Sequence, residues 1–255
     1  MAEFDTVRRA GAGARSAAHI DAGLRAHMNK VYGLMSVGML ITGFIAYFIG
    51  MDLNAAMAGR PTTFLSPEMI QTMYGGGFRY VIMFAPLAVV FMFGAAVNRL
   101  SENAARGVFF LFAALIGLSL ASIFAIYTGV SIAQTFFVTA IAFLGLSLYG
   151  YTTKKDISGW GSFLIMGVIG LLVAMIVNIF LASAAITFAI SAIGVLIFAG
   201  LTAYDTQNIK NTYIAMASNG QSEWLGKAAI MGALSLYLDF LNMFQFLLMF
   251  MGSQE

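Results

Sequence analysis

The sequence predicts an all-α integral membrane protein with seven transmembrane helices, and three observations predict it. Hydrophobic residues make up 60% of the 255 residues and charged residues only 9%, whereas a soluble domain carries about a quarter charged. The mean hydropathy is +0.88. The apolar residues gather in runs that are long enough, at about 1.5 Å per helical residue, to cross a hydrocarbon core of about 30 Å.

Residues 1–30 hold Arg8, Arg9, Arg15, Arg25 and Lys30 among small residues. They lack the apolar core and small-residue cleavage site of a signal peptide, and read as a basic cytoplasmic tail whose first half is mobile. Ile20, Leu24, Met28 and Val31 recur at helical spacing opposite Asp21 and Arg25. That pattern fits an amphipathic lead-in on the membrane surface, or equally an extension of the first span.

A seven-helix domain then occupies residues 31–252, with spans at Val31–Ile49, Tyr80–Val97, Val108–Ile126, Ile132–Tyr149, Phe163–Leu181, Ile186–Tyr204 and Ala228–Phe250. The long loop from Gly50 to Arg79 contains Ser66-Pro67-Glu68, a helix start signal. Pro86, inside the second span, is expected to kink it. Glycines such as Gly33, Gly38 and Gly43 are expected to permit close helix contact. Aromatic residues near span ends, Tyr80, Tyr127, Tyr149, Tyr151, Trp160 and Trp224, read as interface anchors.

Basic residues set the orientation, because cytoplasmic segments retain Lys and Arg. With the N-terminus inside, that side collects the five basic residues of the tail with Arg99, Arg106, Lys154, Lys155, Lys210 and Lys227, while the other receives only Arg60 and Arg79. The chain is therefore expected to sit in a bacterial inner (plasma) membrane with its N-terminus cytoplasmic.

The anomaly in this apolar chain is Asp239, halfway along the last run. An ionised carboxylate there costs about 2.5 to 3.5 kcal/mol even on an insertion scale, so something must solvate, pair or protonate it. The candidate partner is Asp205, placed at the cytoplasmic end of span six. Thr202, Asp205 and Asn208 form a polar stripe on one helix, and Ser235, Asp239 and Asn242 form another on the next. With span six ending at Tyr204, ideal antiparallel packing leaves the two aspartates about 16 Å apart in depth. Asn178 in span five and Arg99 at the end of span two are further candidates for the cluster. Two carboxylates in a poorly solvated site cannot both ionise cheaply, so they titrate as a pair and could act as a proton-operated latch. The plain structural alternative is that each aspartate only hydrogen-bonds to hold helices together.

Other chemistries find little support. The chain has no cysteine, which removes thiolate nucleophiles and thiolate metal sites. Its two histidines, His19 and His27, precede the first apolar run. Tyr204-Asp205 resembles the first motif of intramembrane aspartyl proteases, but Tyr237-Leu238-Asp239 lacks their Gly-x-Gly-Asp setting. A retinal protein needs a lysine within span seven, and Lys227 only begins it. There is no EF-hand or glycine-rich phosphate loop, and the methionines read as ordinary apolar packing. Neither enzymatic activity, nor a bound cofactor, nor a nucleic-acid partner is expected.

The span-six stretch GLTAYDTQNIK and the span-seven stretch ALSLYLDFLNMFQFLL resemble the Bax inhibitor family, also called the transmembrane Bax inhibitor motif family. Asn178-Ile179-Phe180, the seven spans and the basic tail look like that family as well. The resemblance implies six helices surrounding a central C-terminal seventh. It also implies a pH-sensitive calcium leak channel in which Asp205 and Asp239 form the pH sensor and in which opening displaces span two; the chemistry is compatible with that, since two carboxylates with Asn, Ser and Thr nearby would provide a weak oxygen-ligand calcium site. The family's basic residue at the end of span two matches Arg99 loosely, and a span-two carboxylate found in some relatives has no match here. Some bacterial relatives instead suggest a stress-response interaction protein that modulates a partner such as a membrane-anchored ATP-dependent protease, with contacts through the tail or the lipid-facing surfaces.

Overall fold

The computed structural model describes residues 2–253, with side chains from residue 20 onward apart from Ser222. Among these residues there are helices and no strands: α1 (Ala2–Met57), α2 (Pro67–Ile70), α3 (Phe78–Ala96), α4 (Glu102–Leu120), α5 (Gly129–Thr152), α6 (Trp160–Leu181), α7 (Ala184–Ser218) and α8 (Leu225–Met251). Seven of them, all but α2, are long and apolar enough to cross a membrane.

The helix ends follow local chemistry. Ser66, Ser101, Thr128 and Ser183 cap α2, α4, α5 and α7, each side chain accepting a backbone N–H that the first turn leaves unpaired. Pro67 sits in the first turn of α2, where its missing N–H costs nothing. A π-helical turn, Gln71–Gly75, extends α2 toward the glycine run. α3 passes through Pro86 as one element.

Two helices are longer than their apolar runs suggested. α1 does not begin at Val31: Leu24 and Met28 are buried in the same core as Val31 and Met35, so the lead-in extends the first span rather than lying on the surface. Residues 2–19, which would carry the interaction-protein reading, lie outside the residues whose side chains are described, as does the expected mobility of that segment. α7 does not stop at Tyr204 either. It runs on to Ser218, because nothing before Asn219-Gly220 breaks it, and Gly220 takes up the left-handed φ of +70° that the turn needs. The polar stripe of Thr202, Asp205 and Asn208 thus lies within the helix, which continues past it through Tyr213.

α8 is the most enclosed span, with 56% of its apolar window buried against 11–33% in the others. It packs on α7, α1, α5 and α4, while α3 leans on α4 and α6 on α7. In a bilayer the lipid tails are as apolar as the helices, so dispersion contacts and interhelical hydrogen bonds hold the bundle. Tyr237 of α8, fully buried, shows both: its ring meets Phe109 and Phe112 edge-on, and its hydroxyl bonds Thr42 of α1, which donates to the Ala113 carbonyl of α4 at 2.8 Å.

A second acid lies inside α1, because that helix continues past Ile49. Asp52 is 2% exposed and accepts the backbone N–H groups of Thr63, Phe64 and Leu65 at 2.6–2.7 Å. It folds the following loop back over the end of its own helix, at the end of the bundle opposite Lys30. Asp52→Ala leaves three backbone donors without their acceptor and is expected to destabilise the fold by about 2 to 4 kcal/mol, read as a fall in the thermal unfolding temperature in detergent. An unchanged midpoint would show that water replaces the carboxylate freely.

Candidate functional site

The lengths of α7 and α8 bring the two aspartates together. The helices are joined by residues 219–224 alone, and Asp205 and Asp239 each lie about 20 Å from that turn along their own helices. The depth offset expected from the apolar runs therefore vanishes, and the carboxyl groups of Asp205 and Asp239 come within hydrogen-bonding reach of each other. Such a bond needs a proton on one partner, since an ionised carboxylate only accepts. Asp239 is 4% exposed, and its Oδ2 has no hydrogen-bond partner. Asp205 is half-buried.

Hydroxyl groups tie neighbouring helices to this level. Thr206 donates to the Thr202 carbonyl, so Ser147 of α5 must donate to Thr206 Oγ1 at 3.0 Å, and Tyr32 of α1 must donate to Ser147 Oγ at 2.6 Å. Gln207 clamps the turn after α5, accepting from the Ile157 N–H at 2.9 Å and donating to the Lys155 carbonyl at 2.8 Å. Lys210 donates to the Tyr151 carbonyl at 2.8 Å. In the same turn, the Ser158 backbone N–H holds the Asp156 carboxyl below the usual carboxylate range. Gly150 lets α5 approach the α7 backbone, since a Cβ there would meet the Ala203 carbonyl. The aspartate pair thus sits about one helical turn inside the α5–α6 turn.

One turn further out the bundle opens into a cavity of about 280 Å³ between α1, α7, α8 and the end of α3. Asn208 and Ser235, one turn from the respective aspartates, line it together with His27, Asn98, Thr212 and Lys227. Lys227 donates to the Asn98 carbonyl at 3.3 Å and bridges α8 to the end of α3. The His27 ring lies 5.0 Å from that of Tyr213. His27 had been placed ahead of the first span; the longer α1 makes it part of the bundle.

The remaining candidates separate. Thr202 and Asn242 bond carbonyls of their own helices, Phe198 and Leu238. Asn178 closes the turn at the far end of α6, donating to Thr187 Oγ1 and accepting the Ser183 N–H, which places it at the other end of α7 from Asp205. Arg99 is exposed on the turn after α3 and is not a partner of either aspartate. Tyr32, Ser147 and Thr206 escaped sequence reasoning, although Ser131, Thr135, Thr139 and Ser147 give α5 a buried hydroxyl stripe at multiples of four residues.

A seven-helix integral membrane protein whose last two spans bring together a buried and a half-buried carboxyl group is a narrow class. Comparison with known proteins narrows it to one family. The family model described as "Inhibitor of apoptosis-promoting Bax1" matches residues 24–255, and the chain belongs to the Bax inhibitor-1 family. It is 46% identical over 241 residues to a protein of Caulobacter vibrioides, with 92% of each chain covered. It is 43% identical over 234 residues to the inner membrane protein YbhL of Escherichia coli, with 92% of this chain and 94% of that one covered. A Rickettsia prowazekii protein is 41% identical over 235 residues, with 92% of each covered.

If the pair acts in the fold as a unit, the two side chains should depend on each other. Asp205→Leu or Asp239→Leu alone strands the other carboxyl group and should destabilise by roughly 3 kcal/mol, whereas the double replacement should cost less than the sum. A double-mutant cycle by thermal unfolding in detergent reads the coupling. Strict additivity would mean that the two groups do not depend on one another.

Proposed function

We propose that this protein is a pH-gated calcium leak of the inner membrane in which the Asp205–Asp239 pair is the latch. One observation carries the reading: two carboxyl groups lie within hydrogen-bonding reach of each other inside the bundle, one helical turn from a cavity at the basic end that Asn208, Ser235, His27 and Lys227 help to line. The same retention of Lys and Arg that favours N-inside puts that end in the cytoplasm. The proton that the pair shares holds α7 against α8. When it leaves, two like charges in a poorly solvated site repel and the contact opens. Calcium suits the site's chemistry, because carboxylate, amide and hydroxyl oxygens are its ligands. Among the described residues no group of three or more acidic or histidine side chains gathers. Two carboxylates bind weakly, as conduction requires.

Calcium flux into liposomes should rise as the pH on the basic side is raised. Asp205→Asn with Asp239→Asn keeps an amide pair of similar shape without the ionisable proton, and should flatten that pH dependence. If the double variant leaves both the flux and its pH profile unchanged, the latch is wrong.

A further inference from the structure

The cavity between α1, α7, α8 and the end of α3 lies one turn from two acids, yet among the described residues no Asp or Glu lines it. The fixed charge on its wall is Lys227, and that charge is uncompensated: the ion pairs of the described residues are those of Lys30 and Arg106 with Glu102. One of the three ammonium protons of Lys227 goes to the Asn98 carbonyl at a long 3.3 Å, which leaves two without a protein acceptor. The same walls carry the side chains of His27, Asn98, Asn208, Thr212 and Ser235, and none of them makes a hydrogen bond among the described residues. His27 is the most unusual of these. It is 7% exposed, with neither ring nitrogen hydrogen-bonded, although buried polar groups are nearly always satisfied. α8 also begins here: Trp224, Lys227 and Ala228 line the cavity, and no side chain caps this helix, whose N-terminus carries a partial positive charge.

We propose that this cavity binds a phosphate group, carried by a free oxyanion or by a lipid headgroup, with Lys227 as its charge partner and His27, Asn208 and Ser235 as hydrogen-bond donors. An oxyanion accepts every bond that these groups can give, whereas a cation would meet an ammonium group and no carboxylate. A neutral ligand would leave Lys227 uncompensated. The 280 Å³ of the cavity equals roughly nine waters at about 30 Å³ each, room for a phosphate group with part of its hydration. Arg99, Lys154 and Lys155, exposed at the same end of the bundle, raise the local concentration of anions. Asn208 and Ser235 stand one turn from Asp205 and Asp239, so a bound anion brings negative charge within about 5 Å of the level of that pair and favours its protonated form. An oxyanion at the basic end therefore holds the leak shut. That coupling rests on the function proposed above; the binding itself does not.

Phosphorus NMR of the delipidated full chain in a phosphorus-free detergent at pH 7 tests the site, with inorganic phosphate as the probe. The phosphate line should broaden, and excess sulfate, a second tetrahedral oxyanion, should reverse the broadening. Lys227→Met should weaken binding by about tenfold, the effect of losing one charge-assisted hydrogen bond. His27→Phe keeps a ring against Tyr213 without the nitrogens, and should weaken binding in the same direction. Lys154→Met removes the same charge from an exposed position at the same end, and should leave binding unchanged. Displacement of the bound phosphate by phosphatidylglycerol would assign the site to a lipid headgroup, and insensitivity to that lipid would assign it to a soluble ion. The proposal is overturned if the unsubstituted protein gives no sulfate-reversible broadening, or if folded Lys227→Met and His27→Phe proteins broaden the line as much as the Lys154→Met control. Phosphate binding together with absent calcium flux would sink the latch and leave this site standing.

Discussion

Everything in this bundle is arranged around the cost of placing a carboxyl group where water is scarce. Asp239 is 4% exposed on the most enclosed helix, and a lone charge there would be among the most expensive single features of the chain. The α7–α8 hairpin sets a second carboxyl group beside it, and a proton held between the two would spare the pair that charge. The remaining helices then fix the hairpin in place, through the Tyr237–Thr42–Ala113 links on one side and the Tyr32–Ser147–Thr206 chain on the other. Each link joins a different neighbour to the same level of the bundle.

Asp52 shows the contrasting solution. It is equally buried, but three backbone N–H groups satisfy it, leaving no shared proton and no neighbouring acid among its partners. One acid is committed to structure by a complete set of donors, while the other keeps an unpartnered oxygen, Oδ2 of Asp239. A buried polar atom without a partner is uncommon in folded proteins and is the more telling observation.

Much of this was legible in the sequence. Apolar run length located the spans, since hydropathy and helix rise leave few alternatives, and Asp239 stood out because it breaks one of those runs. The helix ends were less legible. Hydropathy measures where hydrocarbon stops, whereas helices continue until a cap or a glycine ends them, so α7 was cut short at Tyr204 and α1 was started late at Val31. Those errors separated Asp205 from Asp239 in depth and excluded His27 from the bundle, and ending the first span at Ile49, short of Met57, hid Asp52 in a loop. Arg99 and Asn178 were grouped with the aspartates by residue type alone; their places at exposed or opposite ends depend on packing that no periodicity records. Ser147 and Thr206 were missed because hydroxyls in apolar helices usually bond their own backbone, and only tertiary structure shows which reach across.

The six-residue turn between α7 and α8, residues 219–224, makes the hairpin a measuring device. Its two arms carry their acids at nearly equal distances from the turn, so length alone sets the alignment. One residue inserted within an arm, between Asp205 and Ser218 or between Leu225 and Asp239, would rotate the acid by about 100° as well as raise it by about 1.5 Å. The same residue inserted in the turn could be taken up as slack. A change in the length of this segment therefore leaves the pair aligned when it falls at the bend and breaks the alignment when it falls along the arms.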